Sequence, residues 1–177
     1  MISFAEFATS HAGESRREFL AAIKEPHLVL WTELNDGSDE RPTAQFLTTS
    51  LPLRPGAPPD RGPPGDGPHG VLPVRKRTDG NAFSLMITIG RAPNNDLVLA
   101  DRRVSKFHAY FRRVGDGWTV SDANSTNGTR VDDVPVPAER SVTLRSGARV
   151  VLGGAVVLEF LEGDDLFERL QSHRSGP

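Results

Sequence analysis

From Val71 to residue 162 the chain breaks into short runs in which apolar and polar residues alternate. They are VLPVRKR, FSLMITIGR, NDLVLA, HAYFRRV, GWTVSD, TRVDDVPV, SVTLRS, ARVVLG and AVVLEFLE, with turn residues between them. Alternation places every second side chain on one face of a strand, whereas a helix needs apolar residues three or four apart. Leu85, Ile87 and Ile89 fall on one such face, as do Trp118 and Val120, and Val156, Leu158 and Phe160. Many short strands with no helical pattern among them predict an antiparallel sandwich or barrel. A hydrophobic content of 37% is enough to fill its core and excludes a wholly disordered or fibrous chain.

The first seventy residues read differently. Residues 51–70 hold seven prolines and five glycines, half of the chain's 14 prolines, and predict a linker of polyproline character. Residues 1–50 predict a small α/β extension. Ser3 with Glu6 and Ser15 with Glu18 have capping-box spacing, and Ile2 with Phe7 has that of a hydrophobic staple. Phe19, Leu20 and Ile23 form an apolar helical stripe that ends before Pro26. His27 to Leu34 reads as a strand, Asp36-Gly37 as a turn and Ala44 to Ser50 as a second strand. Two short helices and a hairpin bury too little surface to stand alone, so this piece is expected to pack on the rest of the chain or on a partner. Residues 163–177 predict a short C-terminal helix capped by Asp165, with Leu166, Phe167 and Leu170 as its apolar stripe and a fraying HRSGP end. The domain reading is therefore an extension (1–50), a linker (51–70), a β domain (71–162) and a helix with tail (163–177).

Composition narrows the function. There are no cysteines, which excludes disulfides, thiolate catalysis and thiolate metal sites. Lys+Arg of 21 against Asp+Glu of 23 gives a net charge of -2, unlike a general nucleic-acid binder. No apolar run approaches the roughly 18 residues of a membrane span, and the opening MISFAEFATSHAGE lacks a basic region followed by an apolar one. A cytoplasmic protein without membrane or nucleic-acid partners, metal or cofactor is the expectation.

Three pieces at strand edges concentrate unusual residues: Ile89-Gly90-Arg91-Ala92-Pro93-Asn94-Asn95-Asp96, Arg102-Arg103-Val104-Ser105-Lys106-Phe107-His108-Ala109 and Asp122-Ala123-Asn124-Ser125-Thr126-Asn127-Gly128-Thr129. Together they have the chemistry of an anion receptor beside peptide-reading amides. Arg91 supplies a planar fork of donors suited to phosphate. Ser105 adds a hydroxyl and an N–H, and Lys106, Arg102 and Arg103 add positive charge. Thr126 offers a hydroxyl, and the Asn127 amide both donates and accepts, as a neighbouring strand does. Ser105, His108 and Asp122 are the residue types of a hydrolytic triad, but no nucleophile-elbow pattern accompanies them.

Gly90-Arg91, Ser105-x-x-His108 and Ser125-Thr126-Asn127-Gly128-Thr129, in this order and spacing, resemble the signature of the forkhead-associated (FHA) domain, a phosphothreonine-peptide binding module. The intervening Asn-Asp, Val-Ser, Trp and Asp match as well. The resemblance covers residues 71–162. It implies an all-β fold, an antiparallel sandwich of about eleven strands whose loops at one end bind the peptide. It also implies roles: Arg91 and Ser105 on the phosphate, Lys106 and Thr126 beside it, and Asn127 on the peptide main chain. Gly90, His108 and Gly128 would shape the loops, and Arg103 would read a residue after the phosphothreonine. Two departures stand out. Asn124 occupies a position where glycine is common, and Asn tolerates left-handed backbone. Asp132-Asp133 replaces the usual Asn-Gly, which predicts a looser hairpin and a charge that disfavours acidic peptides.

The resemblance points to a non-enzymatic adaptor in Ser/Thr-kinase signalling whose partners are phosphothreonine-containing proteins. The alternative is a structural subunit that docks partners through the same fold without phosphate. Thr48 and Thr49, in QFLTTS just before the linker, are candidate sites for a phosphate that folds back into the chain's own pocket.

Overall fold

The computed structural model describes residues 1–36, 67–78 and 80–174. In chain order the elements are β1 (Ile2–Ser3), α1 (Phe4–Ser10), α2 (Arg16–Ala22), β2 (His27–Leu30), β3 (Gly70–Pro73), β4 (Ile87–Gly90), β5 (Leu97–Val98), β6 (Ala109–Val114), β7 (Gly117–Asp122), β8 (Thr129–Val131), β9 (Val134–Pro135), β10 (Ser141–Leu144), β11 (Ala148–Leu152), β12 (Val156–Leu161) and α3 (Gly163–Arg174). The strands form a seven-stranded sheet, in the order β1-β3-β2-β12-β11-β8-β9, and a five-stranded sheet, in the order β10-β7-β6-β4-β5. Every pair is antiparallel except β4 with β5, where Ile89 and Gly90 lie beside Leu97 and Val98 in parallel.

Inner faces of both sheets meet in one core. Leu28, Leu30, Leu72, Leu158 and Phe160 from the larger sheet pack with Ile89, Phe111, Val120 and Leu144 from the smaller. The outer face of the larger sheet is also covered over β2, β3 and β12. Val29, Val71 and Leu161 point away from that core into a second cluster with Phe4, Phe7, Phe19, Leu166 and Leu170 of the three helices. The strands β2, β3 and β12 are thus buried on both sides, which is why they read HLVL, GVLP and VVLEFL with little polar alternation. Burying a side chain the size of Phe4 or Phe19 contributes about 1.5–3 kcal/mol, so the helices are held by packing rather than by their seven-residue lengths.

Local signals set the helix ends. The Ser3 and Ser15 side chains accept from the Glu6 and Glu18 backbone N–H groups, and each glutamate reaches back to the serine N–H. Ile2 is exposed, and its backbone pairs with Val71. α3 starts two residues before the expected cap, because Leu166 N–H already donates to the Glu162 carbonyl. Asp165 therefore lies inside the first turn, and the helix continues through His173 and Arg174. Trp31 Nε1 donates to Glu159 at 3.1 Å, and Arg169 of α3 contacts both Glu159 and the Trp31 ring, so α3, β12 and the end of β2 are tied together.

Two expectations change. β2 ends at Leu30 rather than Leu34: Trp31 N–H still donates to the Val157 carbonyl of β12, but from Thr32 side chains replace the backbone ladder, and Asn35 N–H donates to Asp101. Leu85 is 83% exposed and does not share the inner face of Ile89, because β4 begins only at Ile87. Among the described residues the strands number twelve, two of them before the proline-rich stretch, in keeping with the expected antiparallel sandwich of about eleven. Residues 31–69 connect β2 to β3, which are neighbouring antiparallel strands of one sheet. The second strand expected over 44–50, the turn at Gly37, the linker through residue 66 and both Thr48 and Thr49 lie outside the described residues.

Candidate functional site

Gly90 ends β4 where two loops touch. A Cβ on it would lie 2.5 Å from the Lys106 carbonyl oxygen and 3.0 Å from Asn95 Nδ2, so no side chain fits without moving the backbone. That contact brings Arg91 and Ala92 alongside the second piece: Arg91 N–H donates to the Ser105 carbonyl at 3.0 Å and Ala92 N–H to that of Lys106 at 3.2 Å. The buried Asn95 clamps the junction, its Nδ2 donating to the Ala92 carbonyl at 2.9 Å and the Lys106 carbonyl at 2.6 Å. Asp96 anchors the same loop to β4 through Thr88 N–H and to Lys76 through Nζ. Burial raises its pKa, but the bonds from Thr88, Lys76, Arg77 and Asn81 outweigh burial and hold the carboxylate below its ordinary range.

His108 joins the second and third pieces from beneath. Its Nδ1 accepts from Ser105 N–H at 3.0 Å, so the proton sits on Nε2, which faces the Gly128 carbonyl at 3.1 Å. The ring is fully buried, and burial keeps its pKa below the usual value despite the Gly128 carbonyl and the Asp122 charge. A neutral imidazole with both nitrogens satisfied is a spacer. It addresses the Ser105 amide, while Ser105 Oγ bonds to Thr126 instead, accepting from its N–H at 3.0 Å and lying 3.3 Å from its Oγ1. Asp122 binds Ser125 and Thr129, at 2.6–2.8 Å, rather than the imidazole. The triad geometry is therefore not assembled by these three residues.

The third loop is wound by local chemistry. Asp122 receives Ser125 N–H, Ser125 Oγ and Thr129 Oγ1, which hold its pKa down against the opposing effect of burial. Asn124 has φ of 58°, the left-handed conformation that its residue type tolerates. Gly128 has φ of +77° with open space around it, so it is required by its backbone and not by crowding. Asn127 Nδ2 donates to the Arg103 carbonyl at 3.2 Å, bringing the third loop onto the second.

Ser105, Lys106, Thr126, Asn127 and Arg91 therefore share one end of the sandwich. Arg91, Lys106 and Arg102 are exposed, and among the described residues no hydrogen bond or ion pair engages their side-chain charges. Arg103 differs. Its guanidinium forks onto Asp101, with Nε to Oδ1 at 2.8 Å and Nη2 to Oδ2 at 2.5 Å. The buried Asp101 also accepts the N–H groups of Arg103 and Asn35. Burial raises the Asp101 pKa, but these bonds outweigh it and keep the carboxylate ionised below its ordinary range.

Asn35 and Asp101 carry no motif in the sequence, since their contact spans 66 residues. Asn95 was visible only as part of the first piece. The Asp132-Asp133 hairpin is well formed, not loose. Both residues have positive φ, 47° and 66°, and Arg149 N–H donates to Asp132 while Arg130 donates to the Asp133 carbonyl. It closes the far end of β8 from Gly128.

The fold is thus a two-layer sandwich with a cationic, hydroxyl-lined loop cluster at one end. The FHA domain family model matches residues 87–153. This chain carries an FHA domain. It is 38% identical over 98 residues to the oxoglutarate dehydrogenase inhibitor of Corynebacterium diphtheriae, covering 53% of this chain and 66% of that one. It is 39% identical over 89 residues to the FHA domain-containing protein FhaB of Mycolicibacterium smegmatis, covering 50% and 54%. The matched region thus spans about half to two thirds of these relatives. The solution structure of an FHA domain from an Arabidopsis thaliana hypothetical protein shares the fold, with a TM-score of 0.50 at 18% identity over 77% of this chain and 84% of that one.

Proposed function

We propose that this chain is a phosphothreonine-dependent adaptor in Ser/Thr-kinase signalling, binding an extended phosphopeptide across the loops at one end of the sandwich. One observation carries the reading. The exposed cations Arg91 and Lys106, whose side-chain charges no hydrogen bond or ion pair engages among the described residues, stand on the loops that carry a Ser105–Thr126 hydroxyl pair, and these loops are braced from below by a buried neutral histidine. Fixed donors around an open position suit a dianionic phosphate. In this reading Arg91 and Ser105 hold the phosphate, with Lys106 and Thr126 beside it. Asn127 bonds the peptide main chain, and Gly90, His108 and Gly128 keep the loops in place. Arg103, held by Asp101 yet 39% exposed, offers its remaining donors to a residue after the phosphothreonine. The chain acts by binding, without turnover, in the cytoplasm, and its partners are proteins phosphorylated on threonine. No helix of the described residues is long and apolar enough to cross a membrane.

Two or three charge-assisted bonds of about 1.5–3 kcal/mol each, less the cost of ordering a peptide, leave roughly -6 to -9 kcal/mol, or micromolar affinity. The test is calorimetry of the full chain against a degenerate phosphothreonine peptide pool, with unphosphorylated and phosphoserine pools as controls. Binding confined to the phosphothreonine pool, and weakened about 100-fold or more by Arg91→Ala, is expected. Equal binding of phosphorylated and unphosphorylated pools would instead support a phosphate-independent docking subunit.

A further inference from the structure

At the surface beside the five-stranded sheet, Tyr110 of β6 and the loop residues Phe83 and Phe107 stand in a stacked row. Phe83 and Phe107 have ring centres 5.9 Å apart with planes 11° off parallel, and Phe107 and Tyr110 follow at 6.3 Å and 20°. The Arg112 guanidinium sits 5.0 Å over the Tyr110 ring. Phe83 is 50% exposed and Phe107 37%. Together with Met86 and Ala138 these rings line a groove of about 400 Å³, bounded by Asp122, Asn124 and Glu139. Single exposed phenylalanines are ordinary, but a row of stacked rings along a groove is a preformed apolar surface. Its free edge is held in place: Asn81 Oδ1 accepts from Phe83 N–H at 3.1 Å and from Lys76 Nζ at 2.7 Å, and Met86 N–H donates to the Phe83 carbonyl. A surface ordered in advance costs less to bind.

The groove is continuous with the phosphate loops. Phe107 directly follows Lys106, and Asp122 and Asn124 belong to the loop that presents Thr126 and Asn127. A peptide fixed by Arg91, Ser105 and Asn127 advances roughly 3.3 Å per residue, so its next few residues reach this face. The rim carboxylates of Asp122 and Glu139 repel an acidic side chain. We infer that the groove takes a large apolar side chain, aromatic or long aliphatic, from the same phosphothreonine peptide, and so sets which phosphothreonine sites the chain selects. The inference rests on the phosphothreonine reading of the loops.

The experiment uses the full chain and arrays of thirteen-residue phosphothreonine peptides, degenerate except that each flanking position in turn is fixed as Phe, Leu, Ser or Asp. Wild type is expected to favour Phe or Leu over Ser or Asp by about tenfold at one flanking position. Phe107→Ala, with an unfolding midpoint close to that of wild type, should lose this preference yet still bind the phosphorylated pool and not the unphosphorylated one. Phe107→Leu should retain part of it. Arg91→Ala should weaken binding of every phosphothreonine peptide about 100-fold or more, which separates the groove from the phosphate site. Wild-type binding with no apolar preference at any position overturns the inference, as does a preference that Phe107→Ala leaves intact. Absence of phosphothreonine binding by wild type overturns both readings. Sedimentation of the same proteins covers the remaining occupant: a wild-type dimer that Phe107→Ala dissociates would assign the groove to a second copy and overturn the inference.

Discussion

Replacing Gly90 by alanine places a methyl group 2.5 Å from the Lys106 carbonyl oxygen, where an ordinary contact is at least 3.4 Å. The Ser105–Lys106 backbone must retreat by about 0.9 Å. That displacement stretches three bonds at once: Arg91 N–H to Ser105 at 3.0 Å, Ala92 N–H to Lys106 at 3.2 Å and Asn95 Nδ2 to Lys106 at 2.6 Å. Each is worth about 0.5–1.5 kcal/mol, so the loss of stability is about 2–4 kcal/mol. For a chain of this size that lowers Tm by roughly 5–15 °C. Arg91 and Ser105 also separate, so affinity for a phosphothreonine peptide pool should fall at least about tenfold. Gly128→Ala is the control. Its φ of +77° imposes strain of about 1 kcal/mol, but nothing lies within 4 Å, so it should cost less stability than Gly90→Ala. Thermal unfolding and calorimetry on the three proteins make the comparison. A Gly90→Ala chain with wild-type midpoint and affinity would refute the claim that this close approach sets the loop geometry.

Ser105→Ala removes the acceptor for Thr126 N–H, and should cost about 1 kcal/mol in urea unfolding and weaken phosphopeptide binding about tenfold. Asp101→Asn keeps the shape but removes the charge that grips Arg103 and Asn35, and should lower stability by about 1–3 kcal/mol, read from the same urea curves. His27 is buried, and desolvation depresses its pKa from 6.5 to about 4. The unfolded chain therefore takes up a proton first, so stability is full above pH 6.5, falls between 6.5 and about 4, and then levels for this group. The loss approaches about 3 kcal/mol, and a His27→Gln chain should show a shallower decline across that window in unfolding measured from pH 7 to 4.

The sequence by itself determined what is local. Both capping boxes act within four consecutive residues, strand alternation is read over five or six, and the loop chemistry of Asp122 through Thr129 is complete within one turn-forming segment. For the same reason the three motif pieces were legible one by one, and their order identified the family. Only the tertiary structure decided what depends on distant partners. β2 lies between β3 and β12 because its two apolar faces are buried in two different clusters, and no local pattern says which strands will flank it. Asn35 meets Asp101, and the Arg103 side chain is turned onto that carboxylate, because a buried charge must find donors wherever the fold brings them. Leu85 kept a strand-like spacing but stayed outside, since β4 begins beyond it and period-two alternation marks a potential face without supplying the surface that covers it.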